Sequence, residues 1–285
     1  MRTLLLLSLQ LALGAAWVQP YAMNAARRRS GCPSLSNSLH MSAALSEETR
    51  ASYESLFPPE GYDMRNAKSR TDGYWKFISK KEEPPSELVY GEFPLDLFLE
   101  LLDRAARHAG LSEDRSEARM ADIGSGVGRL VLWAAVNQKW RHYLGVEILP
   151  GIHDIAVEKL EEARAIPGLL QSDAITFECG SWSDSDVAQL DVVFAATTCS
   201  PVDDATGELI GLFGEGMSVL NSKLKKGCVV VTTEYKLGEG FRYIESLDGD
   251  HPLFGTTTGH IHEKLSAGAW EDSGDEVTRD ASPAV

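Results

Sequence analysis

Ala121-Asp122-Ile123-Gly124-Ser125-Gly126-Val127-Gly128-Arg129 decides the fold of this 285-residue chain. An apolar run takes up an acid, meets a glycine turn and gives way to an apolar, helix-forming stretch over residues 130–137. Strand, tight turn and helix N-terminus in that order let backbone N–H groups approach a charged ligand closely. The glycine spacing narrows the ligand. A dinucleotide fingerprint needs Gly-x-Gly-x-x-Gly, and counted from Gly124 its third place is filled by Arg129. A P-loop needs Gly-Lys-Ser/Thr at its end, and none follows. What stands is Asp-x-Gly-x-Gly-x-Gly, a ligand-binding loop or a tight strand–helix connection.

The next strand favours the ligand. Tyr143-Leu144-Gly145-Val146-Glu147-Ile148 is apolar up to an acid, and Glu147 lies 19 residues beyond Gly128. That is close to the spacing expected of a carboxylate on a ribose at the end of a second strand. A carboxylate accepts two hydroxyl hydrogens at once, which a neutral side chain does less well.

Outward from these two strands the pattern alternates. Strands are expected at 120–123, 143–147, 175–179, 192–196 and 228–233, with helices at 130–137, 152–164 and 208–224 between them. Near-continuous apolar strands alternating with helices mean a doubly wound, mostly parallel sheet covered on both faces. Residues 242–247 and 257–265 are expected as two further strands, which makes seven. Leu95, Phe98, Leu101, Leu102, Ala105 and Ala106 form one stripe of an amphipathic helix before the sheet. Ahead of it, helices are expected at 47–56 and 74–81, punctuated by Pro58-Pro59 and Pro84-Pro85. Tyr74, Trp75 and Phe77 read as packing residues.

Charge is unevenly spread. The formal net charge is -15; the first 46 residues contribute +4 and contain no Asp or Glu, so the rest carries -19. A body this acidic disfavours a large nucleic-acid footprint. No run of 18 apolar residues exists, so no transmembrane span is expected and no membrane partner in the mature form. Residues 1–16 read as a signal peptide, with Arg2, an apolar stretch and Gly14-Ala15-Ala16 ahead of Trp17. Residues 17–46 are Ser-, Ala- and Arg-rich and resemble the transit peptide of a bipartite presequence that leads to a complex plastid; ordinary secretion is the alternative. Cys179, Cys199 and Cys228 fall at strand ends, expected as buried thiols, with no disulfide framework. They fit a reducing compartment such as a plastid. Residues 47–94 are expected as a helical pre-core segment, 95–266 as the catalytic domain and 267–285 as an acidic disordered tail.

The glycine turn resembles motif I of the Rossmann-like S-adenosylmethionine methyltransferases. With Ser86-Glu87-Leu88-Val89-Tyr90-Gly91-Glu92 before it and Gly145-Val146-Glu147 after it, the stretch resembles the catalytic domain of the non-SET histone-lysine methyltransferases, the disruptor-of-telomeric-silencing type. That resemblance implies the Rossmann-like methyltransferase fold with its last two strands as a closing antiparallel pair, S-adenosylmethionine as cofactor and a protein, lysine-like, or small-molecule methyl acceptor. It places Tyr90, Gly91 and Glu92 over the methionine end of the cofactor. Asp122 supports the glycine turn and the cofactor's amino end, Gly124, Ser125 and Gly126 let the cofactor lie against the backbone, and Glu147 holds the ribose. The family's Asp-Phe pair at the adenine is replaced by Ser181 and Trp182, the indole expected to stack on the base. Its Asn pair at the acceptor channel is replaced by Ala196-Thr197-Thr198-Cys199, and no basic nucleosome-binding tail follows. Thr198 is the candidate at the acceptor, with a plain polar strand terminus as the other reading. A cofactor-binding or interaction protein without catalysis is the alternative function. His260 and His262 lie two apart on one strand face without a further ligand nearby in sequence, and no metal is expected.

Overall fold

In a computed structural model, residues 45–251 and 255–265 are described. The expected signal peptide, nearly all of the transit-like segment and the acidic tail lie outside them.

The described chain opens with α1 (Glu47–Leu56), whose first turn is capped by Ser46: its Oγ accepts the Thr49 N–H at 3.1 Å. There follow α2 (Tyr62–Ser69), a π-turn at Arg70–Tyr74 and α3 (Trp75–Lys80). The sequence shows only the last of these three, because α2 has no apolar stripe. Its place is fixed by Arg65, which is buried and ion-paired to Glu92. Trp75, expected to pack, is exposed on α3. α4 (Leu95–His108) buries the whole expected stripe.

Seven strands make one sheet: β1 (Arg115–Ile123), β2 (Trp140–Glu147), β3 (Ile175–Cys179), β4 (Val192–Ala195), β5 (Val229–Thr233), β6 (Phe241–His251) and β7 (Gly255–Lys264). Their order is β6-β7-β5-β4-β1-β2-β3. β1 to β5 pair in parallel, while β7 runs antiparallel between β5 and β6, as expected of the closing pair. Parallel strands covered on both faces read as unbroken apolar runs, and Val192–Ala195 and Val229–Thr233 are buried throughout. One face is packed by Phe98, Leu101, Leu102, Val131 and Trp133, with Phe98 meeting Phe194 edge-on at 5.0 Å. The other carries Trp182, Leu190, Leu209, Leu212 and Leu220. Between the strands run α5 (Arg129–Asn137), α6 (Pro150–Ala165) and α7 (Met217–Lys223).

Only the end of the expected 208–224 helix forms. Gly211, Gly214 and Gly216 interrupt its period. Residues 208–216 instead make three two-residue strands, of which Gly211–Leu212 and Glu215–Gly216 pair with each other as a tight strap. The thiols also differ from expectation: Cys228 is buried and pushed up to about 12 by that burial, whereas Cys179 is exposed.

Candidate cofactor site

The glycine turn leaves β1 and is stitched to β2 at once. The N–H groups of Gly124 and Ser125 both donate to the Val146 carbonyl, at 2.8 and 3.0 Å. Gly124 and Gly126 take φ of +76° and +56°, values in the left-handed region that side chains rarely adopt. Ser125 between them is buried. Glu147 ends β2 and closes the turn from below. Its Oε2 accepts the Gly126 N–H at 2.9 Å and its Oε1 the Leu149 N–H at 2.8 Å. Each oxygen keeps a further lone pair.

Two buried carboxyls meet here. Burial pushes Asp122 up to about 8, with the Glu147 charge adding to it. Burial also raises Glu147, but the amides of Leu149, Gly126 and Ile148 pull it back. With backbone amides holding the Glu147 charge and no such donor on Asp122 among the described residues, the proton belongs on Asp122.

Two aromatic rings bracket the turn. A Cβ on Gly126 would lie 3.1 Å from the Tyr90 ring, and one on Gly124 would lie 2.8 Å from the Phe213 ring. Tyr90 therefore reaches the turn. Its hydroxyl donates to Glu92 Oε1 at 2.8 Å, and burial followed by the Glu92 charge raises its pKa. The Glu92 carboxylate is taken up by side chains around it. The same Oε1 accepts Arg65 Nε at 2.8 Å and Nη2 at 2.5 Å, and Arg129 Nε stands 3.6 Å from Oε2. Glu92 thus ties the pre-core segment to the loop that carries Tyr90. Gly91 is exposed, and a Cβ added to it would meet nothing within 4 Å.

Past β3, Ser181 caps a short turn, its Oγ accepting the Ser183 N–H at 3.3 Å. Trp182 is only 2% exposed and its Nε1 donates to the Leu212 carbonyl at 3.0 Å. An indole enclosed on this scale has no face for a base, so the expected adenine stack is replaced by a core role. Ile148, beside Glu147, is 48% exposed and supplies the apolar surface there.

At the end of β4 the two threonines part company. Thr197 is fully buried and clasps β5: its N–H donates to Thr233 Oγ1 at 2.9 Å and its Oγ1 to the Thr233 carbonyl at 2.7 Å. Thr198 is exposed, with its Oγ1 3.2 Å from Thr233 Oγ1. His262 is buried on β7, where its Nε2 accepts the Leu237 N–H at 3.2 Å and burial holds it neutral, down to about 4.

The site residues that the sequence hides are Phe213, Glu215 and Ile148. The two on the strap sit inside what reads as a helix, and only the density of glycines around them signals otherwise.

The sheet order, the glycine turn and the strand-end acid define a Rossmann-like, S-adenosylmethionine-dependent methyltransferase. Its likeness is to one family in particular: residues 79–197 match the family model described as histone methylation protein DOT1. No curated protein matches the chain. Among solved structures, an RNA methyltransferase from Salinibacter ruber in complex with S-adenosyl-L-homocysteine is 18% identical, with 68% of this chain and 100% of that one covered and a TM-score of 0.45. TrmN from Thermus thermophilus is 19% identical over 65% of this chain and 54% of its own, with a TM-score of 0.45. The B. subtilis M1A22 tRNA methyltransferase TrmK is 18% identical over 57% and 66%, with a TM-score of 0.40.

Proposed function

We propose that this protein transfers the methyl group of S-adenosylmethionine to a protein side chain, lysine-like, or to a small-molecule acceptor. The observation that carries the reading is Glu147. Each of its oxygens is oriented by one backbone N–H and keeps a lone pair, which fits a ribose diol beside a turn stripped of Cβ atoms. When bound, the cofactor supplies an electrophilic methyl group on a sulfonium. The chain's own residues supply alignment and dryness. Glu147 holds the ribose hydroxyls. Asp122, kept protonated by burial, ionises against the cofactor's ammonium group. Tyr90 and Phe213 keep water off the turn. Thr198, exposed at the end of β4, stands at the acceptor, since ligands collect at the carboxyl ends of parallel strands.

The acidic body and the loss of the Asn pair favour an acceptor other than nucleosomal histone. Met64, Trp75, Ile78 and Val89, all exposed and all on the pre-core segment, give an acceptor an apolar approach. The presequence-like first 46 residues make a plastid the place to look. The test is incubation of the full chain with methyl-labelled S-adenosylmethionine and, separately, nucleosomes, free histones, RNA and a plastid extract. Label in protein or metabolites of the extract is expected. Label confined to RNA or to nucleosomes would overturn the acceptor reading, and labelled cofactor retained without transfer to anything would overturn catalysis.

A further inference from the structure

The exit of β3 lacks the acid that an adenine-binding end calls for. Ser181 and Trp182 stand there, and Trp182 is packed into the core. Adenine still presents an exocyclic N–H donor, and a donor left unpaired on binding is costly. A carboxylate reaches this place from another element. Glu215 Oε1 accepts Ser181 Oγ at 3.2 Å and Ser183 Oγ at 2.6 Å. Its Oε2 takes no hydrogen bond among the described residues.

The strap that carries Glu215 is pinned on three sides. The Trp182 indole donates to the Leu212 carbonyl at 3.0 Å. Leu212 pairs with Glu215 and Gly211 with Gly216 in the short ladder. The Gly214 N–H donates to Glu87 Oε1 at 3.1 Å, which ties the strap to the pre-core segment. Between these anchors Phe213 takes φ of +48° and lays its ring on Gly124. The strap therefore runs from the exit of β1 to the exit of β3, past the exit of β2 where Glu147 stands. A non-glycine residue in that conformation persists only where its surroundings over-determine it. Trp182, whose indole holds Leu212, thus serves the site from within the core.

We propose that Glu215 recognises the adenine of the cofactor, its Oε2 accepting the exocyclic amine while the Ser181 and Ser183 hydroxyls fix the carboxylate. The inference rests on the cofactor reading above and assigns to the strap a task for which Ser181 and Trp182, at the exit of β3, offer no carboxylate.

Calorimetry on the full chain tests it, with S-adenosylhomocysteine and its inosyl analogue, which carries a carbonyl oxygen in place of the amine. The unaltered protein is expected to prefer the adenosyl ligand by on the order of tenfold to a hundredfold. Glu215→Gln keeps an acceptor for the two serines and presents an N–H to the carbonyl, so the preference is expected to shrink by about tenfold or more. Glu215→Asp withdraws the carboxylate by one methylene and is expected to shrink it too, which covers a failure of the first variant to fold. Glu147→Ala is expected to weaken both ligands alike and leave the ratio unchanged. A folded Glu215→Gln or Glu215→Asp protein with the original preference would overturn the role of Glu215. Binding of neither ligand by the unaltered protein would instead overturn the cofactor reading itself.

Discussion

Glu147 accepts the Gly126 N–H at 2.9 Å across 21 positions of sequence, so the acid that ends β2 and the glycine turn that leaves β1 form one rigid unit. Glu147→Ala removes the acceptor of two backbone donors as well as a ribose contact. S-adenosylhomocysteine binding is expected to weaken by about 1.5–3 kcal/mol, the usual worth of a hydrogen bond to a charged group. Calorimetry beside a thermal melt separates the two effects, and unchanged affinity in the folded variant would remove Glu147 from the site.

Gly124 meets the Phe213 ring. Gly124→Ala forces a side chain into a left-handed turn and against that ring, and is expected to lower both stability and cofactor affinity. Phe213→Ala relieves only the second strain. The double variant is therefore expected to be more stable than Gly124→Ala alone, with a coupling of about 0.5–3 kcal/mol. Strict additivity in the double-mutant cycle would mean that the ring does not rest on the turn.

Asp122 titrates near 8 in the folded protein, far above its ordinary value of 3.8. Its folded-state pKa is raised, so the folded state binds the extra proton between those values and stability falls as pH rises through that window. Cofactor binding has the opposite pH dependence, because the ammonium group favours the ionised carboxylate. Affinity is expected to rise as pH climbs towards the Asp122 pKa, with a proton released on binding. Calorimetry in buffers of different ionisation enthalpy reads that proton directly; identical heats in all of them would be the contrary result.

The two threonines at the end of β4 are expected to behave oppositely. Thr197→Val leaves buried groups of Thr233 without partners and is expected to cost about 1–3 kcal/mol in urea unfolding. Thr198→Ala is expected to leave unfolding unchanged while lowering turnover on whichever acceptor is labelled. Equal effects of both on stability would place Thr198 in the clasp instead of at the acceptor.

The strands and the glycine turn with its strand-end acid were legible because hydrophobic periodicity, glycine spacing and an acid at a strand end are local signals. Asp122, Gly124, Gly126 and Glu147 come together as the spacing implies. The strap was not legible. A run such as Glu208 to Leu224 has enough helix formers to read as a helix, and what breaks it is tertiary: Trp182 holding Leu212, and Phe213 seated on a turn 89 positions earlier. The ion pair of Glu92 was hidden for the same reason. Its motif position points to the cofactor, but Arg65, on a helix with no apolar stripe, claims its carboxylate.

Glu92 also sets an order of assembly. Its side chain pairs with Arg65, 27 positions earlier, while its carbonyl accepts His251 Nε2 at 2.9 Å across 159 positions. During synthesis the Tyr90 loop is made early and Arg129 holds the Phe93 carbonyl, yet the His251 anchor comes only after β6 has left the ribosome. Contacts this distant in sequence slow folding. A chain arrested short of residue 251 is expected to hold a formed glycine turn beneath an unfastened loop, which protease cutting near Tyr90 would register, so the cofactor pocket of this protein is one of the last things its folding completes.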